Sequence, residues 1–121
     1  MLRLEGVSLN YGSFRALDGI ILHAEPGELV VLLGANGAGK SSIFLTVSGL
    51  THASAGSIRF GDRELKGMRP SQIVASGVVH CPEGRKLFPG MTVRKNLLLG
   101  GYVHRRDRKG VERTLDEVYE L

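Results

Sequence analysis

Hydrophobic positions at the start of the chain fall two apart, at Leu2 and Leu4, and resume after Gly6 at Val7 and Leu9. That spacing predicts a strand. A second runs from Ala16-Leu17 through Ile20-Ile21-Leu22, with Tyr11-Gly12-Ser13 as the turn of an antiparallel meander. Glu25-Pro26-Gly27-Glu28 is a turn that leads into Leu29-Val30-Val31-Leu32-Leu33, a continuous apolar run that reads as a buried strand. From Lys40 to about Ser48 the period becomes helical, with Ile43, Phe44 and Val47 at inward positions and Gly49 placed to cap. Ser57-Ile58-Arg59-Phe60 alternates as a short strand ended by Gly61-Asp62. Arg69-Pro70-Ser71 opens a helix that turns Ile73 and Val74 inward and stops at Gly77, and Val78-Val79-His80-Cys81 follows as a short buried strand. Pro82 to Met91 has loop chemistry. Thr92 can cap a helix through Leu99, which Gly100-Gly101 breaks. Beyond it, Val111, Leu115, Val118 and Leu121 share one face of an amphipathic helix. No glycine, asparagine or proline closes that helix, so the pattern reads as interrupted rather than finished.

At 121 residues the chain supports one small core and no second full domain. Its composition is that of a globular protein, its apolar runs are far shorter than the ~20 residues that cross a bilayer, and Met1 leads straight into a strand pattern. A cytosolic location is expected. Cys81, the single cysteine, sits in an apolar run and reads as a small buried hydrophobe. His23, His52, His80 and His104 are scattered, without metal-ligand spacing. The net charge of +4 raises nucleic acid or anionic membrane as partners. His104-Arg105-Arg106-Asp107-Arg108-Lys109 is its one dense cluster; with no interleaved aromatic to stack on bases it reads as a solvated loop, compatible with nearby acidic headgroups, and no nucleic acid partner is expected.

The segment Gly34-Ala35-Asn36-Gly37-Ala38-Gly39-Lys40-Ser41 completes a GxxxxGK[ST] pattern between the apolar run and the helix. Glycines there let successive N–H groups converge on phosphate oxygens, and the helix opening at Lys40 adds its positive end. Lys40 reaches the β- and γ-phosphates of a nucleoside triphosphate. Ser41 is the expected Mg²⁺ ligand, because a hard cation that keeps most of its waters needs one or two protein oxygens beside the phosphates.

Tyr11-Gly12, this loop, Pro82-Glu83-Gly84-Arg85-Lys86-Leu87-Phe88-Pro89, Met91-Thr92-Val93 and Asn96-Leu97 together resemble the N-terminal half of an ATP-binding-cassette (ABC) transporter ATPase domain, most narrowly the cassette subunit of bacterial branched-chain amino acid importers. The resemblance spans the chain. It implies an α/β P-loop NTPase fold with an antiparallel meander at the N-terminus, incomplete at the C-terminus. Residues 1–121 would then form a partial nucleotide-binding domain with the adenine loop, the Walker A loop and the Q-loop region, without the signature, Walker B and switch histidine. It implies ATP and Mg²⁺ as cofactors, held by Tyr11, Gly34, Asn36, Gly37, Ala38, Gly39, Lys40, Ser41 and Ser42. Lys40 and Glu83 are the catalytic candidates, Ser41 and Glu83 the metal candidates.

Tyr11 would offer its ring to adenine; the other reading is a tyrosine packed at a hairpin turn. Glu83 stands where most cassettes have a glutamine near the Mg²⁺ and attacking water. The branched-chain subfamily resembles this chain in having glutamate, which binds Mg²⁺ but cannot donate a hydrogen bond when ionised. A solvated loop carboxylate is the alternative. Leu87, Phe88 and Met91 are apolar in a loop, and the resemblance sets a membrane permease against the stretch from Glu83 to Met91, although Phe88 could equally fill its own core. A second cassette subunit and a peripheral place on the inner face of the cell membrane are also implied.

Hydrolysis needs an acidic residue closing a second apolar strand, and none of Asp18, Asp62, Asp107 or Asp116 closes such a run. Three readings compete: a subunit active in its complete form, serving branched-chain amino acids or another small polar solute; a nucleotide-binding, non-hydrolysing interaction fragment; or another P-loop enzyme, disfavoured by the meander and the Pro82 loop. The purified 121-residue chain should therefore bind nucleotide weakly at most. Steady Mg²⁺-dependent phosphate release that is lost in Lys40→Ala would overturn this, with Glu83 the first carboxylate to test.

Overall fold

A computed structural model describes residues 1–84 and 86–121. Strand β1 (Leu2–Tyr11) pairs antiparallel with β2 (Phe14–Ala24) on one side and β3 (Ala55–Phe60) on the other, and β4 (Arg63–Glu64) completes a sheet of order β2-β1-β3-β4. Leu4, Val7 and Leu9 are all buried although Leu4 and Val7 differ in parity. A bulge reconciles them. Between Leu4↔Leu22 and Val7↔Ile20 β1 advances three residues to the two of β2, and the same shift recurs between Glu5↔Ser57 and Ser8↔Ala55 of β3. The extra residue returns the side-chain alternation to the core.

The chain divides into two units, residues 1–80 and 81–121. In the first, Leu4, Val7, Leu9, Leu17 and Ile58 from the sheet pack with Val47 of α1 (Lys40–Val47), Leu65 and Ile73 of α2 (Pro70–Ala75). Burying each large side chain contributes about 1.5–3 kcal/mol. Both helices stop in the same way: Leu50 N–H donates to the Leu45 carbonyl (2.9 Å) and Gly49 to Thr46 (3.1 Å), while Val78 donates to Ile73 (3.3 Å) and Gly77 to Val74 (3.0 Å). These paired bonds satisfy carbonyls that a helix end leaves free.

The second unit holds α3 (Val93–Gly100), a 3-10 turn (Tyr102–His104) and α4 (Arg108–Tyr119). Thr92 caps α3 by accepting from Lys95 N–H (3.3 Å), as its sequence position predicts. Arg94 and Glu112 link α3 to α4 through contacts of 2.6 and 2.9 Å, and Leu115 is the buried residue of α4.

Several expectations are corrected. Residues 29–33 form no ladder among the described residues, and Leu29, Val31 and Leu33 are exposed. Residues 78–81 likewise form no strand; Val79 and Cys81 are exposed, so Cys81 is not the buried hydrophobe expected. The reason is shared: a buried parallel strand needs ladder partners and cover on both faces, and the paired strands described here are the antiparallel meander alone. Phe44 is exposed and stacks on His80 (6.2 Å between centroids), while Thr46 takes the buried position beside Val47. The basic cluster is not one loop, because the Asp107 carboxylate accepts from Gly110 N–H (3.0 Å) and starts α4 three residues earlier than the apolar stripe predicts. Arg85 of the Pro82 stretch lies outside the described residues.

Glu64 ties the β3–β4 edge together. Its carboxylate accepts from the Ser57 hydroxyl and from the N–H groups of Ile58 (2.9 Å) and Lys66 (3.1 Å). Partial burial pushes its pKa up, but these three hydrogen bonds and the Arg59 charge outweigh burial and hold it below its ordinary value. A depressed carboxylate contributes stability that is present above the unfolded pKa and is lost as pH falls through the folded one. Glu64→Gln should therefore melt below wild type at pH 7, with the gap closing on acidification below pH ~4.3. Thermal melts across that range check this; a gap independent of pH would show that ionised Glu64 contributes nothing.

Candidate phosphate-binding site

The site is built where the turn after residues 29–33 enters α1. Ala38 N–H closes on the Ala35 carbonyl (3.2 Å), which puts Asn36 and Gly37 at an exposed tip. Gly39 is the N-cap of α1, left-handed at φ 84°, and brings no side chain to the helix end. The first intrahelical bond there is Ile43 N–H to the Gly39 carbonyl (3.0 Å). The amides of Lys40, Ser41 and Ser42 consequently have no intrahelical acceptor, and they sit at the positive end of the helix.

Lys40 folds across the loop. Its Nζ donates to the carbonyls of Gly34 (2.6 Å) and Ala35 (2.7 Å). An ammonium group has three protons, so one donor direction remains beyond these two. Between Leu29 and Gly61 the sequence holds no acidic residue, and nothing within that span opposes an anion. Ser41 is exposed. Ser42 is half-buried, and its carbonyl accepts from the Thr46 hydroxyl (2.6 Å), which fixes the first turn of α1. Uncapped amides, one ammonium, a free hydroxyl and no carboxylate make a donor set that fits a polyphosphate chain, with Ser41 able to supply an oxygen to Mg²⁺. Among the described residues no three His, Cys, Asp or Glu side chains form a metal-holding group of their own.

What positions the loop is β2. A Cβ at Gly39 would lie 2.8 Å from the Ala16 carbonyl oxygen and 3.0 Å from Leu17 Cδ2. Only glycine permits that approach, which the sequence pattern gave no means to anticipate from Ala16. Tyr11 stands at the β1–β2 hairpin, cross-strand from Phe14, and both rings are about half exposed. Phe14 precedes Ala16 by two residues, so the hairpin and the Gly39 seat belong to one strand. Glu83 is exposed and lies in the second unit.

Within that unit, residues 88–92 are knotted by one side chain that sequence reasoning singled out without a role. Asn96 accepts from Phe88 N–H (2.9 Å) and donates to the carbonyls of Phe88 (3.1 Å), Met91 (3.3 Å) and Thr92 (3.1 Å). Phe88 is exposed rather than filling a core. An asparagine inside a helix, four residues after its cap, was the available signal.

A family model described as ABC transporter matches residues 17–120. The high-affinity branched-chain amino acid transport ATP-binding protein BraG of Pseudomonas aeruginosa is 40% identical over 100% of this chain and 51% of its own length. The sulfate/thiosulfate import ATP-binding protein CysA of Bordetella bronchiseptica is 36% identical over 99% of this chain and 33% of its own. A solved ATP-binding cassette of an ABC transporter superposes with a TM-score of 0.74 at 30% identity, covering 81% of this chain and 39% of that one. The chain thus spans about half or less of the relatives it matches.

Gly39→Ala should lower the unfolding free energy by about 2–3 kcal/mol, from the left-handed backbone and the clash with Ala16 together. Gly37, at φ 86° with nothing within 4 Å of a Cβ, is the control and should lose only about 1 kcal/mol as Gly37→Ala. Denaturant melts compare the two; equal losses would mean that the Ala16 contact positions nothing.

Proposed function

Because the chain belongs to the ABC transporter family, we propose that it is the nucleotide-binding part of an importer subunit that hydrolyses ATP, and that the complete transporter takes up branched-chain amino acids. The observation that carries the reading is the donor set around Lys40, an ammonium held over a loop whose following helix end is uncapped. Lys40 exchanges the Gly34 and Ala35 carbonyls for the β- and γ-phosphate oxygens of ATP, a trade of neutral acceptors for charged ones that roughly doubles the strength of each hydrogen bond. The amides of Gly39, Lys40, Ser41 and Ser42 hold the remaining oxygens, with Gly34, Asn36, Gly37 and Ala38 shaping the loop. Ser41 would hold Mg²⁺ together with the phosphates, and the ion would supply charge to offset the negative charge that develops on the phosphoryl oxygens. Tyr11 stacks on adenine, and Phe14 offers a second exposed ring beside it.

Glu83 lies in an exposed segment, and the apolar Leu87, Phe88 and Met91 nearby, all exposed, suit contact with a membrane permease. The Asn96 knot keeps part of that surface in one shape. A second cassette subunit would complete the nucleotide sites, and the subunit would sit peripherally on the cytoplasmic face of the membrane; among the described residues no helix is long and apolar enough to cross it. Likeness to the sulfate/thiosulfate import protein, at an identity near that of BraG, favours a second reading in which the solute is another small polar molecule.

In the subunit that contains this chain, Lys40→Ala should weaken ATP binding at least about a hundredfold without lowering the melting temperature, since it removes a charge-assisted contact and no core atom. Tyr11→Ala should cost about 1–2 kcal/mol of affinity and Tyr11→Phe almost none. Calorimetric titration measures all three. Wild-type affinity in the Lys40 variant would end the nucleotide reading, and equal affinities for the two Tyr11 variants would end the stacking role.

A further inference from the structure

The stretch from the 3-10 turn into the first turn of α4 carries Arg105, Arg106, Arg108 and Lys109 against a single carboxylate, Asp107. Four cations less one carboxylate is +3 of the chain's net +4, so outside this stretch the protein is almost neutral. All four side chains are exposed, and among the described residues none has an acidic partner, the ion pairs being Arg15–Asp18 and Arg94–Glu112. Asp107 is occupied by the Gly110 amide. The cations are therefore ordered on a folded surface and left uncompensated.

Their placement runs against the helix field. α4 has no acidic residue in its first turn and no basic one in its last; Arg108 and Lys109 open it at the positive end, and Asp116 and Glu117 lie near the negative end. Reversing these charges would stabilise the helix, so the arrangement breaks a local rule with no structural return, which is where a binding role is expected. Tyr102 adds an exposed amphipathic ring beside the cluster, with the Arg105 guanidinium 4.5 Å above its centre. A phenol among arginines is the composition of an interfacial anchor, whereas a ring already covered by Arg105 is poorly disposed to stack on a nucleobase.

We infer that the Tyr102–Lys109 surface binds the anionic headgroups of a lipid bilayer. The membrane-associated reading above gives it a setting, but the chemistry stands on the cluster alone. The test is co-sedimentation of the subunit that contains this chain with phosphatidylcholine vesicles containing 30% phosphatidylglycerol, against pure phosphatidylcholine, at about 0.1 M and about 0.5 M salt. Binding is expected to the anionic vesicles only and to vanish at the higher salt. The triple variant Arg105→Gln, Arg106→Gln, Arg108→Gln should lose about a hundredfold in partitioning. Circular dichroism should show its helix intact, because removing Arg108 relieves the dipole conflict. The control Arg3→Gln, Arg63→Gln, Lys66→Gln removes the same charge from the first unit and should stay within about threefold of wild type. Equal loss in the two variants, or equal binding to neutral vesicles, would overturn the inference. So would capture of the wild-type subunit by poly-glutamate under conditions where anionic vesicles fail, which would assign the surface to an acidic protein. An ATP titration of the same samples separates this outcome from failure of the nucleotide reading.

Discussion

The geometry of the phosphate loop depends on one backbone approach, that of Gly39 to the Ala16 carbonyl and the Leu17 side chain. Leu17 is buried in the core shared by the sheet and α1, so the loop inherits its position from the meander. The glycine serves two ends at once. Its left-handed backbone turns the chain into α1, and its missing side chain admits β2 while leaving the helix end without a cap. An N-cap serine or aspartate there would satisfy an α1 amide internally and put a competing oxygen where the loop is otherwise free of acceptor side chains.

Much of this was legible in the sequence, and the misses have physical causes. Period-two and helical spacing located β1, β2, β3, α1 and α2, because those elements bury residues against partners present in the chain. Turn and cap chemistry placed Gly49, Gly77 and Thr92 correctly. The same pattern rule misplaced residues 29–33 and 78–81: an apolar run says that a segment is suited to burial but cannot say what buries it. Phe44 fell on the helical stripe yet faces outward onto His80, since eight residues of helix expose more than one apolar flank. Asp107 was read as part of a charged run when its effect is that of a cap.

Of the site, the loop, Lys40 and Ser41 were readable because phosphate chemistry constrains residue type and spacing together. Ala16 was not, because what it contributes is a carbonyl that any residue has. Asn96 lies between these cases. Its type and position were noticed, but four hydrogen bonds to residues 88–92 become visible only once the loop is folded back on the helix. The second unit thus carries two devices of opposite character, a loop pinned by one amide and a charged helix end pinned by one carboxylate.

The bulge in β1 bears on how the length of that strand can change. Leu2 and Leu4 precede it and Val7 and Leu9 follow it, and both neighbouring strands slip by the same single residue. Losing one residue at Glu5 or Gly6 would leave the four apolar positions in unbroken alternation and remove, at that point, the shift against both β2 and β3. Losing Arg3 or Ser8 would instead put Leu2 or Leu9 out of phase with the other three apolar positions and turn that side chain toward water. A deletion of one residue thus keeps all four apolar positions in phase only at the bulge, which makes that point the strand's tolerant site for a change of length.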